Sequence, residues 1–286
     1  MTVKKKRVLT NIITYVFLIA LTFLVLLPII YVIAGSFKTN MEIMSHPEKL
    51  LPTEPTWDNY KMAMTARTFN ILKMLWNSIY YTASCVFITL TMSVMTGYVF
   101  ARGGDFPGSK LIFAAFSATM FISVGGITIY PIFRVLNLIN LGSSLNGLIF
   151  MKVFAVGVVN IYLVRSFIWQ LPKELDEAAQ IDGCGFMGTF FRVILPLLKP
   201  IVATLTILSF RRYWNDYYMP TLFTVSRPDQ QTLIVGMSKL KNLEGAASNW
   251  NIMLAGATIT LIPILVVYAI CNKYFVDGIT AGAVKG

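Results

Sequence analysis

Charged side chains are absent from four long stretches of this chain, residues 11–37, 74–101, 111–133 and 245–272. A helix needs about 20 mostly apolar residues to cross about 30 Å of hydrocarbon. These stretches therefore predict spans near 12–35, 77–101, 111–133 and 251–272. Two further apolar runs are interrupted: 145–168 holds Lys152 and Arg165, and 200–223 holds Arg211, Arg212 and Asp216. Counted together, the runs predict an all-α polytopic membrane protein of six transmembrane helices in a single domain over 1–286. No tandem repeat or separate soluble domain interrupts the pattern. The first run is longer than the about 7–15 residues of a signal-peptide core, so it reads as an anchor.

Composition agrees. Hydrophobic residues make up 56 % of the 286 positions and charged residues 13 %, with a mean hydropathy of +0.67. Soluble domains carry about 25 % charge, so lipid must cover much of this surface. The net charge of 24 − 13 = +11 invites a nucleic-acid reading. The cations argue against it, because Lys4, Lys5, Lys6 and Arg7 precede the first run and most others flank later ones. Under the positive-inside rule that quartet places the N-terminus in the cytoplasm. An even span count then puts the C-terminus and the 169–195 loop on the same side, with the segment near 38–76 outside.

Cys85, Cys184 and Cys271 lie far apart and His46 is isolated, which favours neither a disulfide framework nor a zinc site. No Gly-x-x-x-x-Gly-Lys-Ser/Thr loop is present to cradle ATP phosphates. Gly103-Gly104 reads as a loop turn and Gly125-Gly126 as a close helix contact. An intramembrane enzyme needs a general base or metal ligands inside the spans, and Asp216 is the only spanning acid.

The informative loop runs Leu171-Pro172-Lys173-Glu174-Leu175-Asp176-Glu177-Ala178-Ala179-Gln180-Ile181-Asp182-Gly183. Proline suits a first helical position, the acids suit the first turns, and Gly183 suits a C′ stop in the left-handed region. A flexible hinge is the plainer role for Gly183. Small and apolar residues recur at three-to-four spacing, giving one narrow face. A second short helix is expected near Phe186–Val193. An ordinary amphipathic linker is the alternative for the loop as a whole.

The stretch Glu177-Ala178-Ala179, Asp182-Gly183, Phe190, Leu195-Pro196 and Pro200 resembles the EAA loop of ABC importer permeases. The lead-in Asn160, Arg165, Phe167 and Leu171–Leu175 resembles that family too. So do Gly35–Thr39 with Glu42-Ile43, Pro52 to Asn59-Tyr60, Tyr213-Trp214-Asn215-Asp216-Tyr217, and the tail Phe275–Gly286. The tail is similar to that of carbohydrate-uptake permeases, the second, MalG-like subunit. Cys184 departs from the family's small Ala or Ser at its position. The resemblance implies a bacterial inner-membrane subunit, not an enzyme, that forms part of a sugar or oligosaccharide path. It also implies a second homologous permease subunit, two ATPase subunits and an extracytoplasmic solute-binding protein as partners. ATP and Mg would be used by the ATPase, with no cofactor on this chain. Glu177, Ala178, Ala179, Asp182 and Gly183 would form the ATPase-coupling element.

The intramembrane charges form the second candidate site. Lys152, Arg211, Arg212, Trp214, Asn215, Asp216 and Tyr217 are candidates for the substrate path, with Arg212 and Asp216 spaced to meet on one helix face. An ionised side chain facing lipid at mid-bilayer costs at least about 2.5–3.5 kcal/mol, so these groups should face the interior or a watery path. The resemblance implies fewer cations before Trp-Asn-Asp/Glu, so the excess here suits an acidic sugar. Snorkelling by Lys152, a structural Arg–Asp pair and contacts with the sister subunit are the plainer readings. A secondary transporter also uses buried charge, but it would show two related halves, which the sequence lacks.

Overall fold

Every described element of the computed structural model is a helix or a turn, with no strand among the described residues. The structure describes residues 3–65, 70–103, 107–122, 125–155, 157–240 and 249–283, the backbone alone being described at some chain positions near their edges. The chain divides into two compact units, Met1–Leu72 with Gly236–Ile262, and Lys73–Val235 with Pro263–Gly286.

In the first unit, α1 (Val3–Gly35) carries the apolar run Thr10–Gly35. Its side chains from Thr10 to Ile29 are all exposed. A row of bare Leu, Ile, Phe and Val on one helix is a surface for lipid rather than water. The short helices α2 (Asn40–Ser45) and α3 (Asp58–Thr65) follow. Thr39 caps α2 by accepting the Glu42 N–H at 3.2 Å. Asn59 ties the segment down by donating to the Ser36 and Lys38 carbonyls at 2.8 Å each. The Asn59 side-chain oxygen accepts from Asn251 at 2.6 Å. Lys38 is buried, with its ammonium donating to the Lys49 carbonyl and lying 5.7 Å from the Tyr31 ring centroid. The start of α15 (Trp250–Ala283) belongs to this unit.

The second unit is organised around α4 (Ile71–Arg102), which contributes to two buried clusters. One gathers Tyr81, Cys85 and Val86 with Leu136, Leu148, Tyr213 and Phe223. The other gathers Val94 and Tyr98 with Val164, Ile168, Phe190, Ile194 and Leu205. Close helix approach occurs at Gly97, where a Cβ would lie 2.6 Å from Val164. At Gly126, half of the expected close contact, a Cβ would meet Ile129 and Tyr218 at an ordinary 3.8 Å. The two glycines open a 3-10 turn, Gly125–Thr128.

The predicted spans differ in continuity. Thr10–Gly35, Ile71–Arg102 and Trp250–Cys271 are long enough to cross a membrane unbroken. The 145–168 segment is a bent pair, α7 (Leu145–Phe154) and α8 (Val158–Trp169), at 45°. Ala155 between them has extended backbone. Residues 111–133 form α5 (Ser109–Ala118) and α6 (Ile129–Leu138), each shorter than a full span, with 123 and 124 outside the described residues. The 200–223 segment is α12 (Lys199–Trp214), ending before Asn215-Asp216, and α13 (Tyr218–Phe223). Among the described residues, three helices are long and apolar enough to cross a membrane, and the number rises to as many as five if each bent pair, α7 with α8 and Phe186–Leu197 with α12, is one span; the shorter apolar helices of the 111–133 segment stand outside that number.

Candidate functional site

In the 169–195 loop α9 runs Glu174–Ile181 with Lys173 as its N-cap, so Pro172 precedes the helix instead of opening it as the sequence suggests. Asp176 falls in the first turn, where a carboxylate suits the helix dipole. The C-terminal stop is as expected. Gly183 has φ +78°, the Cys184 N–H donates to the Ala179 carbonyl at 2.9 Å, and the Gly183 N–H donates to the Gln180 carbonyl at 3.0 Å. This is the Schellman pairing, which a glycine in the left-handed region permits. Nothing lies within 4 Å of a Cβ placed on Gly183, so the requirement is conformational and not steric. After it come α10 (Phe186–Thr189), a π-helical turn Phe190–Ile194 and α11 (Leu195–Leu197). The chain then turns by 75° into α12 between Pro196 and Pro200.

Among the five expected coupling residues, Ala179 is buried while Glu177, Ala178, Asp182 and Gly183 are exposed. Ile181 on the same surface is 87 % exposed, an apolar side chain with no partner in its own unit that covers it. Residues not foreseen as functional hold the loop in place. Arg102, the last residue of α4, forms an ion pair with Asp176 at 2.9 Å, their side chains being 7 % and 15 % exposed. The two charges are close without a well-aligned hydrogen bond between them. The same guanidinium donates to the Leu171 carbonyl at 2.7 Å. One turn earlier, the Tyr98 ring packs on Phe186 and Phe190 at 4.6 and 4.9 Å, and its hydroxyl donates to the Phe186 carbonyl at 3.1 Å. Charge, ring and backbone contacts thus fasten the loop to the end of α4. Arg165 braces the neighbouring helices, with its guanidinium 3.9 Å from both the Phe113 and Trp169 ring centroids.

The intramembrane candidates separate into two groups. Lys152 and Arg212 line a cavity of about 430 Å³ together with Thr89, Asn160, Ser209 and Tyr213. Arg211, Trp214, Asn215, Asp216 and Tyr217 do not line it. Arg212 and Asp216 do not pair, because α12 ends at Trp214 and helical spacing no longer holds. Asp216 instead accepts from the Tyr81 hydroxyl at 2.9 Å and the Met219 N–H at 3.3 Å. Trp214 is 5 % exposed and stacks on Phe210 at 5.4 Å, which takes it out of reach as a sugar platform. Asn215 donates back to the Arg211 carbonyl at 2.9 Å, and Tyr217 is exposed. Thr89 of α4 and Ser209, absent from the expected set, were silent in the sequence because small hydroxyl residues occur throughout the spans.

The family model described as binding-protein-dependent transport system inner membrane component matches residues 1–280. The chain belongs to that family. This permease is 31 % identical to the arabinooligosaccharides transport system permease protein AraQ of Halalkalibacterium halodurans, over 93 % of each chain. It is likewise 31 % identical to the polygalacturonan/rhamnogalacturonan transport system permease protein YtcP of Bacillus subtilis, over 98 % of this chain and all of the other. Its fold matches a chain of a bacterial ABC transporter involved in import of the acidic polysaccharide alginate, with TM-score 0.81 and 22 % identity over 96 % of this chain and 99 % of that one. The permease is a membrane-embedded transport subunit rather than an enzyme. The family tail Phe275–Gly286 has side chains outside the described residues.

Proposed function

We propose that this permease forms half of the path of an ATP-driven sugar or oligosaccharide importer. A homologous permease completes the path, two ATPase subunits drive it, and an extracytoplasmic binding protein loads it. The cargoes named for the relatives, arabinooligosaccharides and polygalacturonan/rhamnogalacturonan, support carbohydrate as the class. ATP and Mg belong to the ATPase partners, and this chain supplies no phosphate-binding loop.

The observation that carries the reading is the attachment of the exposed coupling loop to α4. Arg102 grips the loop and Thr89 of the same helix lines the intramembrane cavity. Thirteen residues of α-helix separate them, about 20 Å at about 1.5 Å per residue. A continuous helix transmits displacement with little loss, because its backbone hydrogen bonds resist stretching. Closure of the ATPases, pushing on Glu177, Ala178, Ile181 and Asp182, then moves α4 and reshapes the cavity wall. Family membership removes the secondary-transporter alternative.

The orientation rests on Lys4–Arg7 and on six crossings, the 111–133 segment counting as one: both termini and α9 are then cytoplasmic. Single cysteines at positions 54 and 180, on a cysteine-free background, test it together with the partner assignment. In intact cells with any outer barrier removed, a membrane-impermeant thiol reagent should label position 54 and miss position 180. The solubilised permease should bring an ATPase with it. The reverse labelling, or purification with no ATPase, contradicts the proposal.

A further inference from the structure

The cavity wall carries more positive than negative charge. Its lining includes two cations, Lys152 of α7 and Arg212 of α12, and no acid. Among the described residues neither cation takes part in an ion pair or a side-chain hydrogen bond. Asp216 lies close enough to act electrostatically on Lys152 but stays outside the lining, accepting from Tyr81 and Met219. Lys152 has its ammonium 5.1 Å from the Tyr213 ring centroid. Tyr213 is in turn fixed by a 2.8 Å hydrogen bond between its hydroxyl and that of Thr89. The lysine is thereby held at the wall by a buried aromatic ring. The remaining polar lining is neutral: Thr89, Asn160, Ser209 and Tyr213.

The geometry points to a cavity that takes a carboxylate-bearing saccharide, a sugar acid of the uronate class, in preference to a neutral sugar. This deepens the importer reading above and rests on it. Two cations in a lining that holds no acid favour a ligand that brings negative charge with it. A guanidinium offers a planar fork suited to a carboxylate, and an ammonium adds a point charge. The hydroxyl and amide groups suit sugar hydroxyls, which a bare inorganic anion would leave unmatched. A volume of about 430 Å³ lies within the about 300–1,000 Å³ typical of small-molecule sites. Arg212 and Lys152 come from helices on different parts of the sequence, so the site is assembled by the fold.

The test uses the whole transporter in lipid nanodiscs, titrated calorimetrically with digalacturonate and with its dimethyl ester, which has the same skeleton without the charge. The acid should bind at least about tenfold more tightly than the ester. The Lys152→Gln/Arg212→Gln double variant should reduce that preference to within about threefold, whereas Lys152→Arg/Arg212→Lys, which keeps both charges, should preserve it. Equal affinity of the wild type for the two ligands overturns the proposal, as does a preference that survives the double neutralisation. ATP hydrolysis stimulated by the binding protein is measured in the same nanodiscs. Hydrolysis without acid preference removes the anion site and leaves the importer intact; loss of the ATPase from the assembly removes the importer reading itself.

Discussion

Asp176→Asn keeps the shape of the side chain at the junction of α9 and α4 while removing its charge. The wild-type pair is close, 2.9 Å, and largely buried at 7 % and 15 % side-chain exposure. Removing one partner of a buried ion pair costs about 3–5 kcal/mol because the other charge is left uncompensated. Two features reduce that here. Arg102 keeps its hydrogen bond to the Leu171 carbonyl, and Asp176 retains partial access to water. We expect about 2–3 kcal/mol against the docked loop, or a roughly 30- to 150-fold shift toward undocking. Amide hydrogen exchange over residues 174–183 in the intact transporter should accelerate accordingly, and ATP-driven uptake should fall while ATPase co-purification is retained. Arg102→Gln should act in the same direction. The double variant should lose less than the sum of the single ones, since the two share one interaction. Exchange within about threefold of wild type, or strictly additive effects, would refute the role given to this pair.

Gly183→Val should lower ATPase co-purification and uptake by at least about fivefold, since a β-branched residue in the left-handed region costs about 1–2 kcal/mol; Gly183→Asn should stay close to wild type, and equal losses would move the residue's role from the turn to the contact surface. In the 38–60 segment, the Glu42 carboxylate accepts from the Thr53 N–H at 2.7 Å and hydroxyl at 2.8 Å, which holds its pKa below the ordinary 4.5. A depressed carboxylate contributes stability that is present above its unfolded value and lost as pH falls through the folded one. The Thr53 amide chemical shift should therefore titrate with a midpoint below 4.5, and a midpoint at or above that value contradicts the contact. Gly97→Leu should prevent α4 from packing on α8, because even a Cβ there meets Val164 at 2.6 Å; expression and folding at wild-type levels would show that the two helices need not approach.

The sequence made the membrane class, the helical architecture and the α9 turn legible because each rests on local signals: uncharged runs, first-turn acids, and a glycine where the chain must enter the left-handed region. Local signals do not report on partners distant in the chain. Arg102 reads as one more flanking cation until α9 is seen folded against it, 74 positions away at Asp176. The same limit explains Arg212 and Asp216, whose spacing suggests a helical pair. Helix α12 stops at Trp214, so the pair is never formed and Asp216 joins Tyr81 instead. Breaks in the 111–133 and 145–168 segments are likewise invisible to a hydropathy count, which registers apolar length and not backbone continuity. Asn59 and Tyr60 were legible only as parts of a family pattern. Their reason is physical: Asn59 satisfies two carbonyls where α1 ends, and Tyr60 hydrogen-bonds Ser36 at 2.7 Å.

In the proposed importer this chain carries cargo inward under the control of a separate ATPase. Proteoliposomes containing both permeases and the ATPase, given labelled oligosaccharide with its binding protein on the outward face and ATP on the ATPase face, measure it directly. Uptake should require both ATP and the binding protein and should be largely lost with Asp176→Asn. Uptake that proceeds without ATP, driven by an imposed proton or sodium gradient, would contradict the importer proposal.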